Sequence, residues 1–246
     1  MTKVAMPTDE HFPYQDNRAR HLAMRIVSDF NPDLRICGSD GMDFYALSKF
    51  DKDPKRMDGL QNEVDQWIAG QKEWRDASPN ALPFFLVGNH EDRLRKYLWK
   101  HPELSGLRAL ELPNLLEFEK LCIETNETAE YVLYKKLLIR HGLYARMHSG
   151  YSAKAELEKE FYSISILTGH THRGGSVYAS TRNGVVEAHE CFCLCTLEPE
   201  YIQHPNWQQG IVLAEVTSKS LSVESIPFFP RGKKLVAQWR DREYSS

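Results

Sequence analysis

The sequence has no apolar run approaching the roughly 20 residues needed to span a bilayer, and Asp9 and Glu10 stand where the apolar core of a secretory leader would lie. Both absences point to a cytoplasmic protein. Internal repeats and low-complexity tracts are also missing, so the 246 residues are expected to form one domain, 1–246. Cysteine is scarce: five residues, an odd number, with Cys191, Cys193 and Cys195 alternating along a strand-like run. A secreted disulfide framework is thereby set aside, and these thiols are expected in the core on one strand face. A basic surplus is lacking too, since the formal net charge is −3, which removes the simplest argument for tight nucleic-acid binding. Two short basic groups, Arg93/Arg95/Lys96 and Arg231/Lys233/Lys234, read as a solvated helix face and a tail.

What is present is an average soluble composition, 41% hydrophobic and 26% charged, arranged as alternating strands and helices. Lys3 to Met6 reads as a strand, and Asp16 as the cap of a helix carrying Ala19, Leu22, Ala23, Ile26, Val27 and Phe30. Leu34 to Cys37 is the next strand. A second helix, with Pro54 near its start, presents Met57, Leu60, Val64, Trp67 and Ile68. Phe84 to Val87 reads as a buried strand, followed by a helix bearing Leu94, Tyr97 and Leu98, whereas 101–126 shows no resolvable pattern. Tyr131 to Arg140 suits strands, Ala153, Leu157 and Phe161 a short helix, and Ile164 to Leu167 another buried strand. Beyond these, Val177 to Thr181 and Val185 to His189 flank Asn183-Gly184 as a hairpin, and Gly210 to Val216 pairs with Leu221 to Ile226. Strand-helix units first and hairpins later predict an α/β sandwich with mixed sheets.

The residues able to bind hard or borderline divalent cations fall just beyond the apolar strands. Asp9 and His11 follow the first, Asp40 the second, Asn89 the third, His141 the fourth, and His170 with His172 the fifth. An Asp-x-His or His-x-His alone is commonplace; five strand ends delivering seven such residues in order are not.

Asp9-Glu10-His11, Ser39-Asp40-Gly41-Met42-Asp43, Gly88-Asn89-His90-Glu91-Asp92, His141-Gly142 and Gly169-His170-Thr171-His172 together resemble the five blocks of the calcineurin-like metallophosphoesterases. That resemblance spans residues 9 to 172. It implies a four-layer α/β/β/α sandwich and two divalent metal ions, manganese first, with iron, zinc, nickel or magnesium as alternatives. It places one ion on Asp9, His11 and His172, a second on Asn89, His141 and His170, and Asp40 between them. A water shared by the ions would be the nucleophile. By the same resemblance His90 protonates the leaving oxygen and Asp43 orients His90. One departure is visible: the family writes Gly-Asp before the bridging aspartate, and here Ser39 intervenes between Gly38 and Asp40.

Arg93, His148 and Arg173 are further candidates for holding substrate phosphate. Trp207 is read as packing on the sheet or lining the cleft, with core packing preferred. The reading for function is a phosphodiesterase of nucleotide-type diesters, cyclic nucleotides or nucleic acid. The rival is a phosphomonoesterase, including the serine/threonine phosphatases. That branch places arginines where this chain has Phe44 and Val87, which counts against it. A non-catalytic scaffold is the third reading. Phe12-Pro13-Tyr14-Gln15-Asp16 and Ser48-Lys49-Phe50-Asp51 are similar to phage-encoded members, which implies a viral source and the host cytoplasm.

Overall fold

A computed structural model of the chain describes residues 1–56, 59–199 and 203–246. Strand β1 (Thr2–Met6) leads to helix α1 (Asn17–Phe30) and strand β2 (Leu34–Gly38), then α2 (Leu60–Ala77), β3 (Leu82–Leu86) and α3 (Asp92–Lys100). Two short helices, α4 (Leu112–Leu115) and α5 (Phe118–Leu121), precede β4 (Glu124–Thr125), β5 (Glu130–Leu133), β6 (Leu137–Arg140), α6 (Tyr151–Lys159) and β7 (Ser165–Thr168). The remainder is strand: β8 (Gly174–Thr181), β9 (Gly184–Cys191), β10 (Gly210–Val216), β11 (Leu221–Pro227), β12 (Phe229–Arg231), β13 (Lys234–Trp239) and β14 (Arg242–Ser245).

Two mixed sheets face each other. The first has the order β11-β10-β1-β2-β3-β4 and the second β5-β6-β7-β9-β8. In the first, β1 to β4 run parallel while β10 is antiparallel to β1. In the second, β6, β7 and β9 are parallel, with β5 and β8 antiparallel at the edges. Strand alternation divides the side chains between layers. Val4, Met6, Ile36, Leu86, Ile139 and Leu167 meet between the sheets. Ala5 turns outward to α1, Cys37 and Phe85 to α2 through Val64 and Trp67, and Leu138 and Ile166 to α6. The result is the expected α/β/β/α sandwich with two mixed sheets.

Helix α1 forms as its residues dictate. The Asp16 carboxylate accepts from the Arg18 N–H, Leu22, Ile26 and Phe30 are buried at helical spacing, and Asn31 closes the helix at φ 50° ahead of Pro32. Three expectations are corrected, and the stretch without a resolvable pattern is filled in. Pro54 opens a single 3₁₀ turn, Pro54–Arg56, and α2 begins at Leu60; Met57 lies outside the described residues. Phe161 follows α6 and is 90% exposed. The stretch 101–126 holds α4, α5 and β4, elements of two to four residues, too short to show periodicity. The basic group at 231–234 is no tail: it sits in the small β12-β13-β14 sheet, whose Leu235, Ala237, Trp239 and Tyr244 pack on α1.

Candidate metal centre

The loops that leave β1, β2, β3, β6 and β7 meet at one end of the sandwich, as ligand sites in open α/β sheets do. Seven non-glycine residues in these loops adopt left-handed backbone: Asp9, His11, Ser39, Asp40, Phe44, His170 and His172, with φ between 49° and 72°. Each such residue carries a conformational cost of about 1 kcal/mol or more. Their concentration here is the pattern of a site whose side-chain directions matter more than local comfort. The turns are locked to one another by main-chain bonds from Asp9 N to Ser39 O (3.0 Å), His11 N to Asp40 O (3.0 Å) and Phe12 N to Gly41 O (2.8 Å).

Asp9, His11 and His172 present donor atoms within 4.8 Å of one another, and so do Asp40, His141 and His170. His172 Nε2 lies 3.2 Å from Asp9 Oδ1 and 2.9 Å from His11 Nε2. In the second group His141 Nε2 lies 3.3 Å from Asp40 Oδ2, 3.1 Å from His170 Nδ1 and 3.0 Å from Asn89 Oδ1. Asp40 also groups with His11 and His90, so its carboxylate stands between the two sets. All seven sequence-predicted ligands are therefore brought together.

A hydroxyl relay joins the sets. Ser39 Oγ is 2.9 Å from His141 Nδ1 and 2.9 Å from Thr8 Oγ1, and Thr8 donates to Asp9 Oδ2 at 2.8 Å. With Nδ1–H given to Ser39, His141 keeps the Nε2 lone pair for the centre. The inserted Ser39 is thus a working part of the site. Glu91 does similar service from below: its carboxylate accepts from Gly88 N (2.7 Å), Asp40 N (3.1 Å) and Met42 N (3.0 Å), tying the second and third loops together.

His90 stands beside these groups with Nε2 3.8 Å from Asp40 Oδ2. Asp43 Oδ2 is shared between His90 Nδ1 (3.4 Å) and His11 Nδ1 (3.2 Å), so this carboxylate serves two rings. Arg93 donates to the Asp43 carbonyl at 2.7 Å, lies 3.1 Å from its Oδ1, and approaches His90 Nε2 to 3.0 Å. The other two substrate-contact candidates lie apart from the cluster. Arg173 donates to the main-chain carbonyls of Met147 (2.7 Å) and Arg146, and exposed His148 packs against the Tyr151 ring.

Burial works against every charge here, and the partners decide the outcome. Burial pushes the Asp9 and Asp40 carboxyls up, but the imidazoles of His172 and His11 around Asp9, and of His141 and His90 around Asp40, hold both well below the usual carboxylate range. Asp43 is held low by His11 and His90 in the same way. Burial lowers His141, yet Asp40 raises it to about 9; burial lowers His172, yet Cys195 and Asp9 raise it to about 9. For His90 and His170 burial wins and both are lowered. Burial and the Asp40 charge raise Glu91 to about 7.

Two residues read as core belong to the site's rim. Cys191, Cys193 and Cys195 are buried as expected, but Cys195 Sγ lies 3.8 Å from His172 Nδ1, and His172, Cys193 and Cys195 form a donor group of their own. Trp207 is half-buried with its ring 4.2 Å from that of His172, and both line a recess of about 200 Å³ with His11, Tyr14 and Arg56. The core expectation for Trp207 is corrected on this point. Glu91, Thr8 and Cys195 were missed as parts of the site; Glu91 lies inside the third block and Cys195 in the alternating cysteines, whereas Thr8 carried no sequence signal.

Compared with known proteins, the chain matches no protein-family model and no curated protein. Solved structures do resemble it. Vps29 of Chaetomium thermophilum aligns with 100% of this chain and 94% of its own at a TM-score of 0.50 and 10% identity. Wild-type Vps29 of Entamoeba histolytica, solved in complex with zinc, covers 99% of this chain and 97% of its own at 0.46 and 10%. At such identity the likeness to the Chaetomium protein establishes the fold alone, the metallophosphoesterase fold.

Proposed function

We propose, on this fold and centre, that the chain hydrolyses phosphodiesters of nucleotides or nucleic acid with the aid of two divalent metal ions. The observation that carries the reading is Asp40, whose carboxylate lies between the donor sets Asp9/His11/His172 and His141/His170. The donor chemistry fits. Imidazole nitrogens 2.9 Å and 3.1 Å apart in two pairs, flanked by carboxylates and the Asn89 carbonyl oxygen, suit borderline first-row ions, with manganese our first choice. Asp9, His11 and His172 would hold one ion, Asn89, His141 and His170 the other, and Asp40 both. Bound there, the ions supply a water acidic enough to attack at neutral pH and charge compensation for phosphoryl oxygens.

The chain's own groups do the rest. Ser39, Thr8, Cys195 and Asp43 fix the ligand rings. Burial keeps the His90 ring neutral at rest, and a phosphate arriving beside Nε2 brings the negative charge that favours its protonation. That phosphate takes the place of Arg93 on Nε2 and leaves the guanidinium facing its oxygens. His90 then gives its proton to the departing alkoxide, the group a diester needs help in expelling. The two positions where phosphatases carry arginine hold Phe44, fully buried, and Val87, so Arg93 is the cation next to His90.

The test compares initial rates on bis-p-nitrophenyl phosphate and p-nitrophenyl phosphate with added Mn²⁺, followed by cyclic nucleotides. We expect the diester to be preferred and EDTA to abolish turnover. A monoester preference would overturn the diester assignment, and hydrolysis of neither would leave the fold as a scaffold. His90→Ala should depress kcat on alkyl diesters far more than on nitrophenyl esters; equal losses would reject its role as acid.

A further inference from the structure

A groove of about 600 Å³ runs from the metal centre along α3, between that helix and the segment 46–52. Asn89 and Arg93 form its inner end and Lys100 and His101 its outer end. Lys49, Lys52, Lys96 and Lys100 line it, and among the described residues no carboxylate does, although Lys96 Nζ also meets Asp92 on the helix at 2.7 Å. A chain with net charge −3 has no general surplus to explain this concentration of cations.

Two aromatic side chains stand exposed beside these cations. Phe50 and Trp99 are each 67% exposed, where side chains of this size are normally covered. Arg95 stands 4.9 Å from the Trp99 ring and Lys49 Nζ 5.4 Å from the Phe50 ring, and Tyr97 is stacked on His101 at 4.3 Å and 30°. Lysines beside exposed rings are the two elements that bind an unpaired nucleic-acid strand: cations for the phosphates and flat faces for the bases. Paired bases hide their faces within the duplex, so exposed rings favour a single strand. Helix α3 rises about 12 Å from Asp92 to Lys100 at 1.5 Å per residue, the span of roughly three to four nucleotides at 3.4 Å each.

We propose that this groove binds single-stranded nucleic acid and leads its backbone to the centre beside Asn89 and His90. The inference rests on the diesterase reading for the fate of the strand and names its substrate class. Basic groups on this face, which in sequence read as a solvated helix, thereby acquire a ligand.

The test is fluorescence anisotropy of a labelled twelve-nucleotide oligothymidylate with the full chain in EDTA, so that binding is measured with hydrolysis stopped. Binding should weaken with salt, with a slope of log affinity against log salt near −3 for about four phosphate contacts. Phe50→Ala with Trp99→Ala should weaken it about tenfold or more, and Lys49→Gln with Lys100→Gln should flatten the slope. Bis-p-nitrophenyl phosphate, too small to need the groove, should be turned over by these variants at the wild-type rate. Absence of binding, equal binding by the variants, or equal affinity for a duplex would overturn the groove. Groove-dependent binding without hydrolysis of any diester would uphold the groove and overturn the hydrolase; hydrolysis without binding would do the reverse.

Discussion

Replacing Gly88 with alanine perturbs the centre where its packing is tightest. A Cβ on Gly88 would lie 2.1 Å from Asp40 Oδ1 and 2.5 Å from Asp40 N, whereas non-bonded heavy atoms settle near 3.5 Å. The carboxylate therefore has to retreat by more than about 1 Å. It cannot do so freely, because Oδ1 accepts from His90 N at 2.8 Å and the Asp40 N–H is held by Glu91. Overpacking of this kind costs on the order of 1–3 kcal/mol, a fall of roughly 3–10 °C in Tm. Metal sites accept ligand errors of only about 0.2 Å, so the larger loss is in binding: about 10- to 100-fold or more in Mn²⁺ affinity. Titration calorimetry with Mn²⁺ on the wild type and Gly88→Ala, with thermal unfolding alongside, measures both. Affinity within twofold of wild type and an unchanged Tm would refute the close approach of Gly88 to Asp40 as a determinant of the site.

Two further outcomes follow from the titrating groups. His11 is held well above its ordinary value by Asp43 and Asp9 despite burial, and His141 and His172 rise to about 9. A metal must displace these protons, so affinity should climb steeply from pH 6 to 9 with protons released; calorimetry in buffers of different ionisation enthalpy detects them, and pH-independent binding would count against the ligand set. Burial and the Asp43 charge raise Glu63 from 4.5 to about 7. Its folded pKa exceeds the unfolded one, so its contribution is complete below pH 4.5 and is lost as pH rises through 7. Glu63→Gln should match wild type at pH 4.5 and exceed it by about 1–3 kcal/mol at pH 8. Parallel urea-unfolding profiles for the two chains across that range would contradict this.

The strand ends were legible because β1, β2, β3, β6 and β7 are short, largely apolar runs, each followed within three residues by a candidate ligand: Asp9, Asp40, Asn89, His141 and His170. The buried face of α1 was legible for the same reason: its apolar residues recur at helical spacing. What escaped depends on contacts across the fold. Cys195 meets His172, Ser39 meets His141 and Glu91 meets Asp40 over separations of 23, 102 and 51 residues, and no local pattern announces such pairs. The β12-β13-β14 sheet escaped because exposed Lys234 and Gln238 interrupt its apolar residues. For Arg93, read as a substrate-phosphate contact, the resting partners Asp43 and His90 are set by α3 and were invisible from spacing alone.

The claim on which the rest depends is that two metal ions share Asp40. The direct measurement is metal content per chain by elemental analysis after dialysis against Mn²⁺, for wild type and Asp40→Ala, with unfolding curves to confirm that both chains are folded. Two ions per wild-type chain and at most one in folded Asp40→Ala is the predicted result. Equal metal content in the two folded chains would contradict it.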